Sequence, residues 1–248
     1  MLRNYFRIAY RNLVKNKTHS FINIAGLSAG MAIAMLIGLW IADEWAFDRN
    51  FENYDHIATV WQNNSSNGSI LTGTNVPFPL GAELRNSYGS DFKEVAMSSF
   101  DQAHIFSVGD KRLSPVGRYF EPAITKILSL KMLAGTGDAL NDLHAILLSE
   151  SLAKACFGTM DPMNRTIKMD NQINLTVAGV YQDIPTSSSF KTLAFLLPWS
   201  LRVQDAGLDK NNWRGNGFQV FVQTANHTSM EKVSAKISWT QRKNPTRL

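Results

Sequence analysis

One run of 22 residues, 21–42, contains no Asp, Glu, Lys, Arg or His. As a helix that rises about 1.5 Å per residue, the run spans ~33 Å, which is enough to cross a hydrocarbon core of about 30 Å. A secretory signal peptide has a shorter apolar region, of roughly 7 to 15 residues, and a small-x-small cleavage site, whereas this run ends in Trp40-Ile41-Ala42. It therefore predicts a transmembrane helix over residues 21–42, which can extend to about residue 50.

The charged residues are distributed unevenly about this run. The chain has 25 Lys and Arg and 20 Asp and Glu. Five basic residues and no acidic residue precede the run: Arg3, Arg7, Arg11, Lys15 and Lys17. The other 20 basic residues equal the acidic ones in number, so nothing in the charge predicts nucleic acid as a partner. By the positive-inside rule, the N-terminus is predicted to be cytoplasmic and residues 43–248 extracytoplasmic.

The first 20 residues have a helical pattern of their own. A basic face is formed at four-residue steps by Arg3, Arg7, Arg11 and Lys15. The opposite face is apolar, with Leu2, Tyr5, Phe6, Ala9, Tyr10 and Leu13. Residues 1–20 are therefore predicted to be a cytoplasmic, basic amphipathic helix on the membrane lipid surface, or else a leader that only orients the span. A corner is predicted at 16–20, with Thr18 or Ser20 as the N-cap of the second helix.

Small residues recur along the predicted span. Gly26, Gly30, Ala34 and Gly38 lie four residues apart, a spacing that lets another transmembrane helix approach closely. The alternative is that Gly and Ala are simply frequent in membrane helices.

Residues 26–30 also match G-x-S-x-G, but a serine nucleophile of that type needs a sharp strand-to-helix turn. An unbroken apolar helix does not provide one.

Residues 43–248 predict an α+β fold with mainly antiparallel strands, in one large body or two lobes. Strands are predicted at 54–61, 94–100, 103–108, 116–120, 145–148, 165–169, 173–180, 193–197 and 218–224. Helices are predicted at 77–88, at 149–157 with Ser149 as N-cap and Gly158 closing it, and from a capping box at 228–231 onward. The polar stretch 63–69 indicates a loop, and 94–120 an antiparallel meander.

The sequence contains no constellation of residues typical of an enzyme. It has no G-x-x-x-x-G-K-[ST] motif, which ATP binding by a P-loop requires, and its five histidines lack a metal-ligand spacing such as H-x-x-x-H. Asp43, Glu44 and Asp48 are interpreted as a solvated extension of the membrane helix. The single cysteine, Cys156, is interpreted as a small packing residue. We therefore predict no catalytic residue, no cofactor and no metal.

Several segments together resemble a known family. The first is Ala9-Tyr10-Arg11-Asn12-Leu13 before the glycine-containing span. A second follows the pattern S-E-x-x-A-x-x-x-F-G-x-x-D-P, with Ser149, Glu150, Ala153, Phe157, Gly158, Asp161 and Pro162. A V-x-G-V strand comes next, with Val177, Gly179 and Val180. The chain resembles the N-terminal portion of a MacB/FtsX-type permease subunit of bacterial ABC transporters, comprising the first transmembrane helix and the periplasmic core domain. One departure is Asn164, where the family usually has glycine, but Asn also tolerates positive φ.

The resemblance implies a mechanical role in the bacterial inner membrane. In such permeases the periplasmic domain moves when a separate cytoplasmic ABC ATPase dimerises, and this motion drives export or extraction of a substrate. Complete permeases have at least four membrane helices and act as dimers, so we expect residues 43–248 to be an incomplete periplasmic domain of a truncated permease. The alternative is a stand-alone, membrane-anchored extracytoplasmic binding or sensory module.

Overall fold

The computed structural model describes residues 2–66, 69–209, 211–213 and 215–243. The chain forms two compact units, Met1–Phe47 and Asp48–Leu248. The first unit is helical, and the second contains all the strands that the structure describes.

The helical unit consists of α1 (Leu2–Lys15) and α2 (Lys17–Ala46). Its second helix is long and apolar enough to cross a membrane by length and composition, and none of its described residues is buried. The predicted corner at 16–20 is wrong, because a single residue, Asn16, separates the helices and is the N-cap. The Ser20 N–H already donates to the Asn16 carbonyl at 2.9 Å. Thr18 and Ser20 therefore lie inside α2 and cap nothing.

The second unit is a mixed α/β domain. Its strands are β1 (Ile57–Thr59), β2 (Gln62–Ser66), β3 (Ser69–Gly73), β4 (Val76–Pro77), β5 (Phe92–Ser98), β6 (Gln102–Ala103), β7 (Phe106–Val108), β8 (Lys111–Leu113), β9 (Val116–Phe120), β10 (Met132–Gly135), β11 (Ala145–Ser149), β12 (Thr166–Met169), β13 (Ile173–Tyr181), β14 (Phe195–Pro198) and β15 (Asn216–Thr224). Its α-helices are α3 (Leu80–Tyr88), α4 (Ile124–Ile127), α5 (Glu150–Phe157), α6 (Trp199–Ala206) and α7 (Met230–Lys243). Short 3₁₀ turns occupy Tyr54–His56, Gly89–Asp91 and Gly137–Asn141.

Within the described residues, 13 strands form one sheet, in which the main order is β1-β15-β5-β9-β14-β11-β13-β12-β7-β8. Most pairs are antiparallel; β9 with β14 and β11 with β13 are parallel. This confirms the α+β class with mainly antiparallel strands. The sequence left open whether the domain forms one large body or two lobes, and these 13 strands form one continuous sheet. The predicted meander over 94–120 is wrong in its order, because β7 and β8 pair with each other beside β12, far from β5.

Side chains from the central strands fill the core on both faces of the sheet. Along β11, Ile146 and Leu148 belong to one apolar cluster, whereas Leu147 belongs to the other. Along β14, Phe195 and Leu197 alternate with Leu196 in the same way. Successive side chains on a strand point to opposite faces, so strands buried on both faces are apolar throughout. These two strands lie at the centre of the sheet for that reason.

The polar stretch predicted as a loop contains a β-hairpin. Strands β2 and β3 pair antiparallel in a separate two-stranded sheet, with Asn63 opposite Thr72. The Thr72 hydroxyl donates to Asn63 Oδ1 at 2.7 Å, and Gln62 Nε2 donates to Asn64 Oδ1 at 2.8 Å. Asn63 and Asn64, two of the polar residues that indicated a loop, thus accept hydrogen bonds from other side chains of the hairpin. Its tip, residues 67–68, lies outside the described residues.

Candidate functional site

The small residues of α2 lie on an open surface. Gly26, Gly30, Ala34 and Gly38 are all exposed. A Cβ built on any of the three glycines meets no described atom within 4 Å. The backbone of α2 is therefore bare along this line, which is the geometry that close helix packing in a membrane uses.

Helix α1 presents a basic and an apolar surface. Arg7, Arg11 and Lys15 are exposed at four-residue steps of one helix; the side chain of Arg3, the fourth predicted member of this face, lies outside the described residues. Large apolar side chains are exposed as well, with Tyr5 at 70% and Phe6 at 77%. A helix with these two surfaces suits the boundary between lipid headgroups and acyl chains.

The family-like motif begins at the first turn of α5. Ser149 is its N-cap, as predicted, and its hydroxyl accepts from the Leu152 N–H at 3.3 Å. The next residue, Glu150, is exposed in the first turn, where a negative charge is favourable. Asp183 accepts from both the N–H and the hydroxyl of Ser151. Burial alone would raise the pKa of the Asp183 carboxyl, but the hydrogen bonds from Ser151 and Ser149 outweigh burial and lower it.

The rest of the motif shapes the end of α5 and the turn beyond. Ala153 and Phe157 are buried in the core. Gly158 ends the helix at φ +66, and its N–H donates to the Lys154 carbonyl at 2.8 Å. A positive φ is easiest for glycine, which explains the residue at this position.

A second tight turn follows at the Asp-Pro pair of the motif. Asp161, next to the half-buried Pro162, accepts from the Met163 N–H at 3.0 Å. Asn164 has φ +59, so the prediction that asparagine preserves the turn where glycine is usual is confirmed. Its N–H donates to the Val177 carbonyl at 2.9 Å, which joins the turn to β13.

The glycine of the V-x-G-V strand is surrounded closely. A Cβ on Gly179 would lie 2.8 Å from both Leu147 Cδ2 and Met132 Cε. The neighbouring Val180 is buried in the core. The motif residues thus support the packing of β11, α5 and β13.

Asp48 is a polar site that the sequence interpretation missed. It is not part of a solvated helix extension, because α2 ends at Ala46 and Asp48 has φ +57. Its carboxylate accepts from the hydroxyls of Ser188 and Ser189 and from the Ser189 N–H, at 2.6 to 2.8 Å. Its own N–H donates to the Ser187 carbonyl at 2.9 Å. The signal in the sequence was the Ser187-Ser188-Ser189 run, but nothing in the sequence pairs that run with Asp48.

One histidine lies beside an acidic and a phenolic group. His104 Nδ1 is 2.6 Å from Asp170 Oδ2, and its Nε2 is 3.4 Å from the Tyr119 hydroxyl. Burial raises the pKa of Tyr119 to about 12, with a further contribution from Asp205. Burial opposes ionisation of Asp170 too, but the Ile105 N–H and His104 outweigh burial and lower its pKa. The group holds two segments of the sheet together, and it has no activated nucleophile.

Metal and thiol chemistry have little support in the part of the chain that the structure describes. It contains no group of three or more His, Cys, Asp and Glu placed to hold a metal. Cys156 is buried in the core, as interpreted from the sequence. Burial raises the pKa of its thiol, which lowers the thiolate fraction on which reactivity depends.

These features define a class of protein: an α+β domain joined to an apolar helix of membrane-spanning length, without a catalytic constellation among the described residues. Comparison with known proteins identifies the family. The sequence model of the MacB-like periplasmic core domain matches residues 20–238. The chain therefore belongs to the family of MacB-like periplasmic core domains. No curated protein sequence matches it.

Solved structures show the same fold. A domain of a permease protein from Porphyromonas gingivalis is 21% identical, with a TM-score of 0.64, over 78% of this chain and 86% of that one. The periplasmic region of MacB from Actinobacillus actinomycetemcomitans is 18% identical, with a TM-score of 0.57, over 77% and 84%. The extracellular domain of the noncanonic ABC-type transporter YknZ from Gram-positive bacteria is 15% identical, with a TM-score of 0.52, over 72% and 87%. Together with α2, the family indicates a membrane-anchored extracytoplasmic domain.

Proposed function

We propose that this chain is the membrane-anchoring and periplasmic part of an ABC-transporter permease of the MacB/FtsX type. It couples ATP hydrolysis in a separate cytoplasmic subunit to motion of its periplasmic domain, for export or extraction of a substrate. The observation that carries this proposal is the extent of the family match, which begins at residue 20, inside α2, and continues to residue 238. The apolar helix and the domain thus belong to one family unit.

The proposed location is the bacterial inner membrane, with the N-terminus in the cytoplasm. The basic residues that precede α2 support this orientation. In this arrangement α1 lies on the cytoplasmic lipid surface, where Arg7, Arg11 and Lys15 meet anionic headgroups. The ATPase subunit is expected on the same side.

In a complete permease, α2 packs against other transmembrane helices and the subunits form a dimer. The exposed glycines of α2 support this arrangement, since helices in lipid associate through close backbone contact at small residues. The chain itself performs no bond chemistry. Its proposed role is that of a two-state element whose equilibrium is shifted by nucleotide in the partner subunit.

The test is isolation of the affinity-tagged chain from its own membranes, followed by measurement of MgATP hydrolysis. We expect a P-loop ATPase to co-purify and its turnover to change when α1 is deleted. Topology is checked with a maleimide reagent that does not cross membranes: a Lys15→Cys variant should react only from the cytoplasmic side and Met160→Cys only from the periplasmic side. Isolation without an ATPase, or the reverse labelling pattern, contradicts the proposal.

A second candidate, the membrane-anchored binding or sensory module, is favoured by an open groove of about 450 Å³. This groove lies between β1, the β2–β3 hairpin and α7, and its lining includes Val60, Trp61, Val233 and Ile237. Grooves of this size accommodate small apolar ligands. Correct topology without any associated ATPase would favour this module over the permease.

A further inference from the structure

We propose that Asp48 is a positioning residue that ties the entry point of the domain to the serine loop, defined as Ser187, Ser188 and Ser189. Through this tie, motion of the preceding membrane helix reaches the sheet. The inference rests on the proposed function, because it concerns how a permease of this kind transmits motion.

The contacts of Asp48 are numerous for a half-buried residue. Its Oδ1 accepts from the Ser188 hydroxyl and the Ser189 N–H, each at 2.8 Å, and its Oδ2 accepts from the Ser189 hydroxyl at 2.6 Å. Its N–H donates to the Ser187 carbonyl at 2.9 Å. Hydrogen bonds to a charged group are stronger than neutral ones, so these bonds together hold Asp48 to all three residues of the serine loop.

The backbone of Asp48 supports the same interpretation. Its φ of +57 is a left-handed conformation, which is unfavourable for most residues with a side chain. Such a conformation persists where surrounding contacts determine it, and here the bonds to the serine loop do so. Contacts within the second unit therefore hold the backbone of Asp48 in this conformation.

The serine loop leads directly into the core. Ser188 is fully buried, and its hydroxyl accepts from the Phe190 N–H at 3.2 Å. The Phe190 ring centroid is 5.2 Å from that of Phe221, on β15, and 5.9 Å from that of Phe51. Phe51 lies only three residues after Asp48, so the entry segment and the serine loop meet at the same aromatic cluster. A displacement of Asp48 is thus passed to β15 over a short, packed path.

A second long-range contact between residues 48–56 and β15 lies beyond the local turns: His56 Nδ1 is 3.1 Å from the Thr224 hydroxyl. Between Asp48 and β1, the backbone hydrogen bonds of the turns are local, from the Tyr54 N–H to the Phe51 carbonyl and from the His56 N–H to the Asn53 carbonyl. Local turns absorb rotation by small changes in φ and ψ. The hydrogen bonds from the serine loop to Asp48 come before these turns in the chain. A displacement that they carry therefore does not pass through the turns.

The first arm of the test measures the tie itself in the full-length chain in nanodiscs. Asp48→Gly keeps the positive φ accessible and removes the three side-chain bonds. We expect amides 187–190 to exchange hydrogen at least about tenfold faster in this variant. Asp48→Asn, which also tolerates positive φ and keeps an acceptor oxygen, should restore most of the protection. Ser189→Ala removes the hydrogen bond to Asp48 Oδ2 and should also make exchange of these amides faster. Ser187→Ala is its matched control and should leave exchange unchanged, because Ser187 contacts Asp48 through its carbonyl.

The second arm measures transmission in the transporter isolated with its ATPase. Amide exchange of the domain is compared without nucleotide and after trapping with MgADP and vanadate. In the native protein, we expect the amide exchange of β5 and β15 to differ between these two states. This difference should be lost in Asp48→Gly and should return in Asp48→Asn. A difference retained in Asp48→Gly, despite faster exchange at 187–190, overturns the inference. If the native protein shows no difference at all, the proposed function fails instead, so the two failures are distinguishable.

Discussion

Arg85 and Glu121 are joined by two parallel hydrogen bonds, from Nη1 to Oε2 at 2.8 Å and from Nη2 to Oε1 at 2.9 Å. Each partner has a further contact in β5. Glu121 Oε2 accepts from the Met97 N–H at 2.8 Å, and Arg85 Nη1 donates to the Val95 carbonyl at 3.1 Å. The pair thus connects α3 and the end of β9 to β5.

Replacement of Glu121 by Gln should lower the free energy of unfolding by about 1 to 2 kcal/mol. The amide cannot accept at both oxygen positions, so one bond to Arg85 or Met97 is lost. The side chain of Arg85 is 41% exposed, and solvent screening limits the effect. Urea denaturation of the full chain in detergent measures this difference, with the exposed Glu52→Gln as the control. Equal stability of Glu121→Gln and the native protein would show that the pair contributes nothing.

Gly179→Ala should destabilise the domain by about 1 to 3 kcal/mol. The new Cβ would lie 2.8 Å from Leu147 Cδ2 and Met132 Cε, in the packed centre of the sheet. Gly217→Ala is the matched control, because it also lies on a strand and its Cβ meets nothing within 4 Å. Thermal unfolding followed by circular dichroism compares the two variants, and similar melting temperatures would contradict the prediction.

Asn164→Gly should leave the stability unchanged or raise it by a few tenths of a kcal/mol, because glycine adopts φ +59 without strain. Asn164→Val should lower it by about 1 to 2 kcal/mol, since a β-branched residue is strained in this conformation. The same substitution at the exposed strand residue Asn174 provides the control. Equal melting temperatures for the Gly and Val variants at 164 would show that the turn is not constrained.

Asp183 should contribute to stability at neutral pH and lose this contribution in acid. Its folded pKa is lowered, by hydrogen bonds from Ser151 and Ser149 that outweigh burial. The contribution is therefore complete above the unfolded pKa, about 3.9, and disappears as the pH falls through the lower folded value. Asp183→Asn should reduce the slope of unfolding free energy against pH below about pH 4, whereas Asp110→Asn, in an exposed turn, serves as the control. An unchanged slope in Asp183→Asn would contradict the assignment.

Gly30→Leu should weaken association of α2 with other transmembrane helices. The leucine side chain would fill the open line along Gly26, Gly30 and Gly38 and keep the partner backbone away. A membrane two-hybrid assay measures the association. Ala32→Leu, which lies nearly opposite on the helix, should retain the native signal, and an unchanged signal in Gly30→Leu would contradict the prediction.

The sequence predicts those elements whose ends are set by a single local signal. Strand β9 begins and ends at the predicted residues, and α5 has the predicted serine N-cap and glycine end. The last helix was predicted with Thr228 in a capping box, and this detail is wrong. Ser229 accepts from the Lys232 N–H at 3.4 Å, while the Thr228 N–H bonds to the Ala225 carbonyl in the preceding turn. Neighbouring hydroxyl residues compete for the same cap, and the sequence does not decide between them.

Features that depend on distant parts of the chain could not be predicted. The sequence does not predict helix α6. Its eight residues follow directly on the apolar strand β14, so the stretch with helical spacing of apolar residues is too short to be distinguished from the strand. The sheet order was missed because β5 pairs with β15, more than a hundred residues later. The contacts of Asp48 with the serine loop span about 140 residues. No local signal in the sequence links such groups.

The first and the last strand that the structure describes, β1 and β15, are direct neighbours. Ile57 lies opposite Gln223 in the β1–β15 pair, and just before it His56 Nδ1 is 3.1 Å from the Thr224 hydroxyl. The polypeptide thus returns at the end of the sheet to the place where the sheet began. A domain whose strand ends meet can be transplanted into a surface loop of another protein, or circularly permuted, with little change to its core. The segment from β1 to β15 has its two ends side by side, which is the arrangement that such a transplantation requires.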